Sequence, residues 1–362
     1  MRDLWACSLR TISRNQDESG AYVACPEFPP YRYCWLRDGA FIAYGMDRAA
    51  QHESSRRFYD WVDSTLRRQT ERIERAISLL SAGIDPKPHE MPPTRYTLAG
   101  DPAEDDWPNF QLDGYGTWLW GLSEHIRMTK GEDLLHKFHD SISLTVGYLS
   151  HAWSLPNNDC WEENGGRVHP ATLACLYGGL TAINRYLLLP EIARVAADIR
   201  EYVLTRGVTG GHFVKSIGDE GVDASLLWIA TPFGLVAPDD PLMTATVAEI
   251  ECRLLHLGVH RYQEDTYYGG GEWLLLTAWL AWHYARLGRR DDALKLLAWI
   301  ESCATPEGDL PEQVLNHVND PAYIGEWRDK WGATAVPLLW SHAMYLILAD
   351  ELKSPAKVDV AS

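Results

Sequence analysis

Apolar residues recur at three- and four-residue intervals along almost the whole chain, and runs of alternating β-branched residues are few, so the pattern predicts an all-α fold. About twelve helical segments are expected, beginning near Asp3, Asp38, Glu53, Tyr115, Glu132, Pro170, Glu191, Ala224, Pro241, Glu272, Asp291 and Thr334. The irregular stretches between them fall in a regular place. Segments 31–38, 109–113, 161–169, 219–223, 261–271 and 311–331 each precede every second helix. If odd helices form an outer ring and even helices an inner one, all these loops emerge at one end, around the N-termini of the inner helices. That is the geometry of an (α/α)6 barrel with its site at one mouth, where free N–H groups and partial positive charge suit oxygen-rich ligands. Each hairpin takes roughly fifty to eighty residues and no repeat is visible in the sequence, so a closed barrel is expected in place of an open solenoid.

One connection breaks the pattern. Residues 82–109 carry Pro86, Pro88, Pro92, Pro93, Pro102 and Pro108 and show neither period, and loops of that length in a compact domain are functional or disordered. The aromatic and basic pair Arg95-Tyr96 favours a folded flap near the mouth.

At 362 residues and 46% apolar composition, with no flexible linker, the chain reads as a single domain over residues 1–362. A net charge of −17 excludes nucleic acid and an anionic membrane surface as natural partners and leaves a neutral small molecule. The start at Met1 lacks the apolar run of a signal peptide and no segment is apolar over a membrane-spanning length. Seven cysteines, an odd number without CxxC spacing, suit a reduced, cytoplasmic protein whose thiols are mostly core residues.

The mouth loops hold the chemistry. Tyr31-Arg-Tyr-Cys-Trp-Leu-Arg-Asp38 supplies aromatic rings beside a guanidinium and a carboxylate, while Trp161-Glu-Glu163 and Leu310-Pro-Glu-Gln-Val314 supply widely separated acids. Cleaving a glycosidic bond takes a proton for the leaving oxygen and a nucleophile or activated water on the other face, hence two opposed carboxyl groups between aromatic walls. Adjacent carboxylates raise each other's pKa, as does burial beside tryptophan, so one of Glu162 and Glu163 is expected to stay protonated near neutrality. Taken alone, Glu-Glu at a helix start is an ordinary dipole-compensating cap, and Arg37-Asp38 an ordinary ion pair. His136 and His139, like His256 and His260, have helical spacing but no third ligand nearby, which makes them solvated or core histidines; Gly269-Gly-Gly271 lacks the Lys-Ser/Thr of a phosphate loop.

Five blocks in order, from about residue 22 to 343, resemble glycoside hydrolase family 15, the glucoamylase family. They are Tyr31-x-Tyr-x-Trp-x-Arg-Asp38, Trp161-Glu-Glu163, Arg261-Tyr-Gln-Glu-Asp-Thr-Tyr-Tyr268, Glu312-Gln313 and Trp340-Ser341. The resemblance implies an (α/α)6 barrel, in agreement with the loop spacing. It implies Glu162 as general acid, Glu312 as general base for the attacking water, and inversion with the two carboxyl groups roughly 6.5–9.5 Å apart. Glu163 then binds substrate hydroxyls, Arg37 and Asp38 hold the 4- and 6-hydroxyls of the terminal glucose, and Tyr31, Trp35, Trp161 and Trp340 wall it. Arg261 contacts sugar near the scissile bond and Trp273 belongs to the leaving-group subsite or to the core. Tyr96 and Asp113 match too loosely for transfer. No metal or organic cofactor is implied, and the partner is a small oligosaccharide.

Missing polymer-gripping modules, and a loop 82–109 unlike a starch groove, place short α-1,6-linked, isomaltose-type substrates ahead of α-1,4 maltooligosaccharides and trehalose. Two other classes compete: a disaccharide phosphorylase, which needs a basic phosphate pocket in place of Glu312, and a non-catalytic sugar sensor, which needs neither acid.

Overall fold

A computed structural model describes residues 3–103 and 105–353. The expectation drawn from the start at Met1, and the last residues of the proposed domain, lie outside the described residues. In chain order the helices are α1 (Leu4–Arg14), α2 (Leu36–Arg48), α3 (His52–Arg68), α4 (Thr70–Ser81), α5 (Asp113–Thr129), α6 (Asp133–Lys137), α7 (His139–Ala152), α8 (Pro170–Leu187) and α9 (Pro190–Arg206). A 3₁₀ segment (Ala224–Ile229) follows, then α10 (Pro241–Arg253), α11 (Leu274–Arg286), α12 (Arg290–Ser302), α13 (Tyr323–Trp331) and α14 (Leu339–Lys353).

Six of these segments close a ring. α2 packs on α5, α5 on α8, α8 on the 3₁₀ segment, that segment on α11, α11 on α14, and α14 back on α2. Outside it, α1 lies behind α14, α3 behind α2, α9 behind α8, α10 behind the 3₁₀ segment and α12 behind α11, while α4 and α7 pair behind α5. This is the (α/α)6 barrel that the loop spacing predicts. Burial explains which helix goes where. Every residue of α2 from Leu36 to Asp47 is buried, as is α11 from Leu274 to Tyr284, whereas α3 buries a single stripe through Phe58, Val62 and Leu66. α5 and α8 approach closely because Gly116 faces the Cys175 carbonyl and Gly179 that of Gly116, where any Cβ would collide.

Local chemistry moves several helix starts. The segment at Ala224 is 3₁₀ and not α. Pro337 restricts the residue before it, so the last inner helix begins at Leu339 instead of near Thr334. The start expected at Glu272 moves to Leu274 because Glu272–Trp273 pairs as a strand with Gln313–Val314. Glu132 heads only the short α6. The sequence pattern missed α4, which continues the run begun at α3, and α13 within 311–331.

Two antiparallel two-residue pairs pin the mouth. Cys34–Trp35 pairs with Arg95–Tyr96 of the proline-rich segment, and Glu272–Trp273 with Gln313–Val314. The proline-rich segment is therefore anchored to the mouth through Arg95–Tyr96. No helix of the described residues is long and apolar enough to cross a membrane.

Candidate active site

A pocket of about 470 Å³, counted to its open mouth, lies at the loop end of the barrel. It is lined by Tyr31, Trp35, Arg37, Asp38, Trp161, Glu162, Arg261, Trp273, Glu312 and Trp340, together with Ala24, Cys160, Leu275 and Leu338. Of the residues expected from sequence, Glu163 alone is not part of the lining. Its Oε2 accepts from the Tyr262 hydroxyl and its Oε1 lies 3.4 Å from Arg261 Nη2.

The divergence of two adjacent glutamates has a backbone cause. Glu162 adopts φ 69°, in the left-handed region rarely used by residues other than glycine. Asp159 holds the turn: its Oδ1 accepts from the N–H groups of Trp161 and Glu163 at 3.0 Å each, and its carbonyl from Glu162 N–H at 2.9 Å. Glu162 therefore turns into the pocket, where Oε2 accepts from Trp107 Nε1 at 2.7 Å and Oε1 from Trp35 Nε1 and, at 3.2 Å, Gln111 Nε2. Burial raises its pKa, opposed by Arg37 and by those N–H donors. Of the two expected causes, burial is the one at work, and repulsion from Glu163 is not.

Glu312 lines the same pocket, 2% exposed, at the head of the strand pair with Glu272–Trp273. Burial pushes its pKa up to about 7 against the Tyr31 hydroxyl and the Arg261 guanidinium. The Tyr31 hydroxyl also meets that of Tyr267 at 3.0 Å. Arg261 is held rigidly by Asp265, Nε to Oδ2 at 2.8 Å with a second bond from Nη2, and its guanidinium sits 5.3 Å from the Trp273 ring centroid and 5.5 Å from that of Trp161.

Arg37 and Asp38 open α2. Arg37 Nη1 donates to Asp113 Oδ2 at 3.0 Å and to Gln111 Oε1 at 2.9 Å, and its guanidinium carbon stands 5.3 Å from the Trp340 centroid. Arg37 Nε and Asp38 Oδ2 form a buried ion pair 3.3 Å apart without an aligned hydrogen bond, and both residues line the pocket. Burial raises the Asp38 pKa to about 7, opposed by Arg37 and reinforced by Glu162 and Asp113.

Asp113 stands one layer back, as a wholly buried anchor for Arg37. Tyr96 is core, its hydroxyl 3.0 Å from that of Tyr115. Sequence reasoning missed Trp107 and Gln111, which sit in or beside the aperiodic flap. It quoted Asp265 and Tyr267 inside a motif without assigning them work. The cue for all four was a polar or aromatic residue in a mouth segment with no helical face to fill. Among the described residues Asp47, His52 and His125 bring ligand-type atoms within 4.8 Å of one another, but both imidazoles already bond Asp47, at 2.8 and 2.9 Å, and none lines the pocket.

The chain matches the family model described as glycosyl hydrolases family 15 over residues 2–350. It is 43% identical over 360 residues to the isomaltose glucohydrolase of Kribbella flavida, covering 97% of this chain and 93% of that protein. It is 25% identical to trehalase 1 of Sulfolobus acidocaldarius, over 89% of this chain and 56% of that one. A glycosidase variant solved in complex with glucose superposes with a TM-score of 0.93 at 42% identity, over 97% of this chain and 96% of that one. A bacterial glucoamylase complexed with acarbose shares the fold, with a TM-score of 0.74 at 19% identity over 98% of this chain and 56% of that one. With two buried carboxyl groups facing one aromatic pocket at the mouth of an (α/α)6 barrel, the chain is a glycoside hydrolase and belongs to glycosyl hydrolases family 15.

Proposed function

We propose that this enzyme is an inverting, exo-acting α-glucosidase that releases β-glucose from the non-reducing end of short α-linked gluco-oligosaccharides, with isomaltose-type α-1,6 linkages preferred. The observation that carries the reading is the pocket itself. Glu162 and Glu312 line it together with the charged pair Arg37 and Asp38, so acid, base and a hydroxyl clamp share one sugar-sized space. The linkage preference is supported by the likeness to the isomaltose glucohydrolase.

In this reading Glu162 gives its proton to the glycosidic oxygen as the bond to the anomeric carbon breaks. The three N–H donors on Glu162 stabilise the carboxylate left behind. Glu312 takes a proton from a water that attacks the opposite face, and its raised pKa matches a base working near neutrality. Arg37 and Asp38 hold hydroxyls of the terminal glucose, and Trp340 and Trp35 cover its C–H faces. Glu163, which the resemblance assigns to substrate hydroxyls, bonds Arg261 and Tyr262 beside the pocket.

Proton NMR in the first minutes of hydrolysis, before mutarotation mixes the anomers, tests the assignment: an α-linked substrate yields β-glucose first. Initial α-glucose would mean a covalent intermediate and would remove the base role from Glu312. The same reaction run on isomaltose, maltose, maltotriose, panose and trehalose, with and without phosphate, ranks the linkages and exposes a phosphorylase by its glucose phosphate.

A further inference from the structure

The donors that hold Glu162 rest on a buried cation in the flap. Arg95 is 0% exposed and lies opposite Trp35 in the two-residue strand pair. Its guanidinium carbon is 4.2 Å from the Tyr33 ring centroid, 4.4 Å from that of Trp107 and 5.4 Å from that of Trp35. Nη2 pairs with the half-exposed Asp105, while Nε and Nη1 are buried with no hydrogen-bond partner. A buried arginine kept only for stability is best served by acceptors around its whole fork, because unmet N–H groups are costly. Here two of its nitrogens have no acceptor, and the faces of three aromatic rings lie beside the guanidinium. Two of those rings are the indoles that donate to Glu162.

We propose that Arg95 is a positioning residue for the hydrolytic reaction: packed against Trp107 and Trp35, its guanidinium fixes the orientation in which both indole N–H groups meet the Glu162 carboxyl. The proposal rests on Glu162 being the proton donor. As the proton leaves Glu162 for the glycosidic oxygen, negative charge develops on the carboxyl, and correctly aimed N–H groups are worth more in that transition state than in the ground state. Losing the alignment lowers kcat and raises the pKa of Glu162, so the high-pH limb of the profile moves upward. KM changes less than kcat, because Arg37, Asp38 and Trp340 keep their sugar contacts and only the Trp35 wall is shared with Arg95.

The test is a double-mutant cycle on Arg95→Met and Trp107→Phe, with kcat, KM and the pH–kcat profile measured on isomaltose. The other charged and titratable groups around Glu162, namely Arg37, Asp38 and Tyr31, are the same in every variant. Each single variant is expected to lose about tenfold or more in kcat, with the high-pH limb displaced upward, and the double variant to be no worse than the poorer single. A wild-type profile for Arg95→Met, or losses that multiply, would overturn the proposal. Should Arg95→Met fail to fold, Arg95→Lys decides: it keeps the charge without the plane, so the same loss and limb displacement are expected, and full recovery would remove the stacking role. Glu162→Gln separates the two levels. Full turnover in that variant would sink the proton-donor reading itself, whereas an inactive Glu162→Gln beside a multiplicative cycle would sink Arg95 alone.

Discussion

Arg37 and Asp38 stand side by side at the head of α2, and the structure predicts opposite consequences for removing them. Asp113 is wholly buried and its charge is met by Arg37 Nη1 at 3.0 Å. Arg37→Met would leave that carboxylate uncompensated, which costs about 3–5 kcal/mol of stability. With an unfolding entropy of about 2.1 cal/mol/K per residue over about 350 residues, or about 0.7 kcal/mol/K, this lowers Tm by about 4–7 °C. Asp38→Asn leaves Arg37 bound to Asp113 and Gln111 and disturbs nothing beneath it. What it removes is an acceptor for a sugar hydroxyl, about 1.5–3 kcal/mol, so kcat/KM falls about 10- to 150-fold while Tm does not fall, because a buried carboxyl whose pKa is raised to about 7 is replaced by a neutral amide. Calorimetry at pH 7 and initial rates of glucose release read the two effects separately. A wild-type Tm for Arg37→Met would show that Asp113 does not depend on this guanidinium, and an unchanged kcat/KM for Asp38→Asn would return the pair to a structural ion pair.

Glu312→Gln is expected to abolish turnover and yet stabilise the fold in alkali. A folded pKa of about 7 against an ordinary 4.5 means that the stability of the protonated form is full below pH 4.5 and lost as pH rises through 7, about 3 kcal/mol in all. Glutamine keeps it, so the variant should melt about 4 °C above wild type at pH 8, with little difference at pH 4; equal melting at both pH values would count against a perturbed Glu312. Glu163→Gln should reduce kcat/KM far less than Glu162→Gln, since it touches Arg261 and Tyr262 and not the pocket; the reverse order in a rate assay would exchange their roles. Trp331 stacks on Trp107 at 6.1 Å, joining the flap to α13 across the mouth, so Trp331→Ala should change the ratio of isomaltose to panose hydrolysis, and an unaltered ratio would exclude that wall from the leaving-group side.

The barrel was legible because helical periodicity survives on the outer helices and because the odd loops recur before every second helix. Inner helices such as α2 and α11 are buried all round, so their boundaries carry no amphipathic edge, and Glu272 was read as helix when a strand partner forty residues away decides it. The pocket lining was legible from motifs, since those residues lie in short fixed-length turns. Trp107 was not, because nothing local in a proline-rich segment says which way an indole points. Nor was the parting of Glu162 from Glu163, which depends on a left-handed backbone that Asp159 stabilises from outside the motif.

The ring is closed by α14 against α2 and α1, with Leu339 N–H bonded to the Ala24 carbonyl, His342 Nδ1 to Ser8 Oγ, and Arg48 paired with Asp350 and Glu351. For a ribosome making the polypeptide from the front, this is an awkward order of assembly. Arg37 and Asp38 emerge early, but Trp340, which packs against Arg37 and Phe41, is among the last of the barrel residues to appear. Until then the inner face of α2 has no neighbour on one side and exposes apolar surface to solvent or to a chaperone. Such non-local closure slows folding and makes the half-built barrel its most aggregation-prone state. Lesions in α14 should therefore reduce yield during synthesis more severely than they reduce the stability of molecules that have already closed.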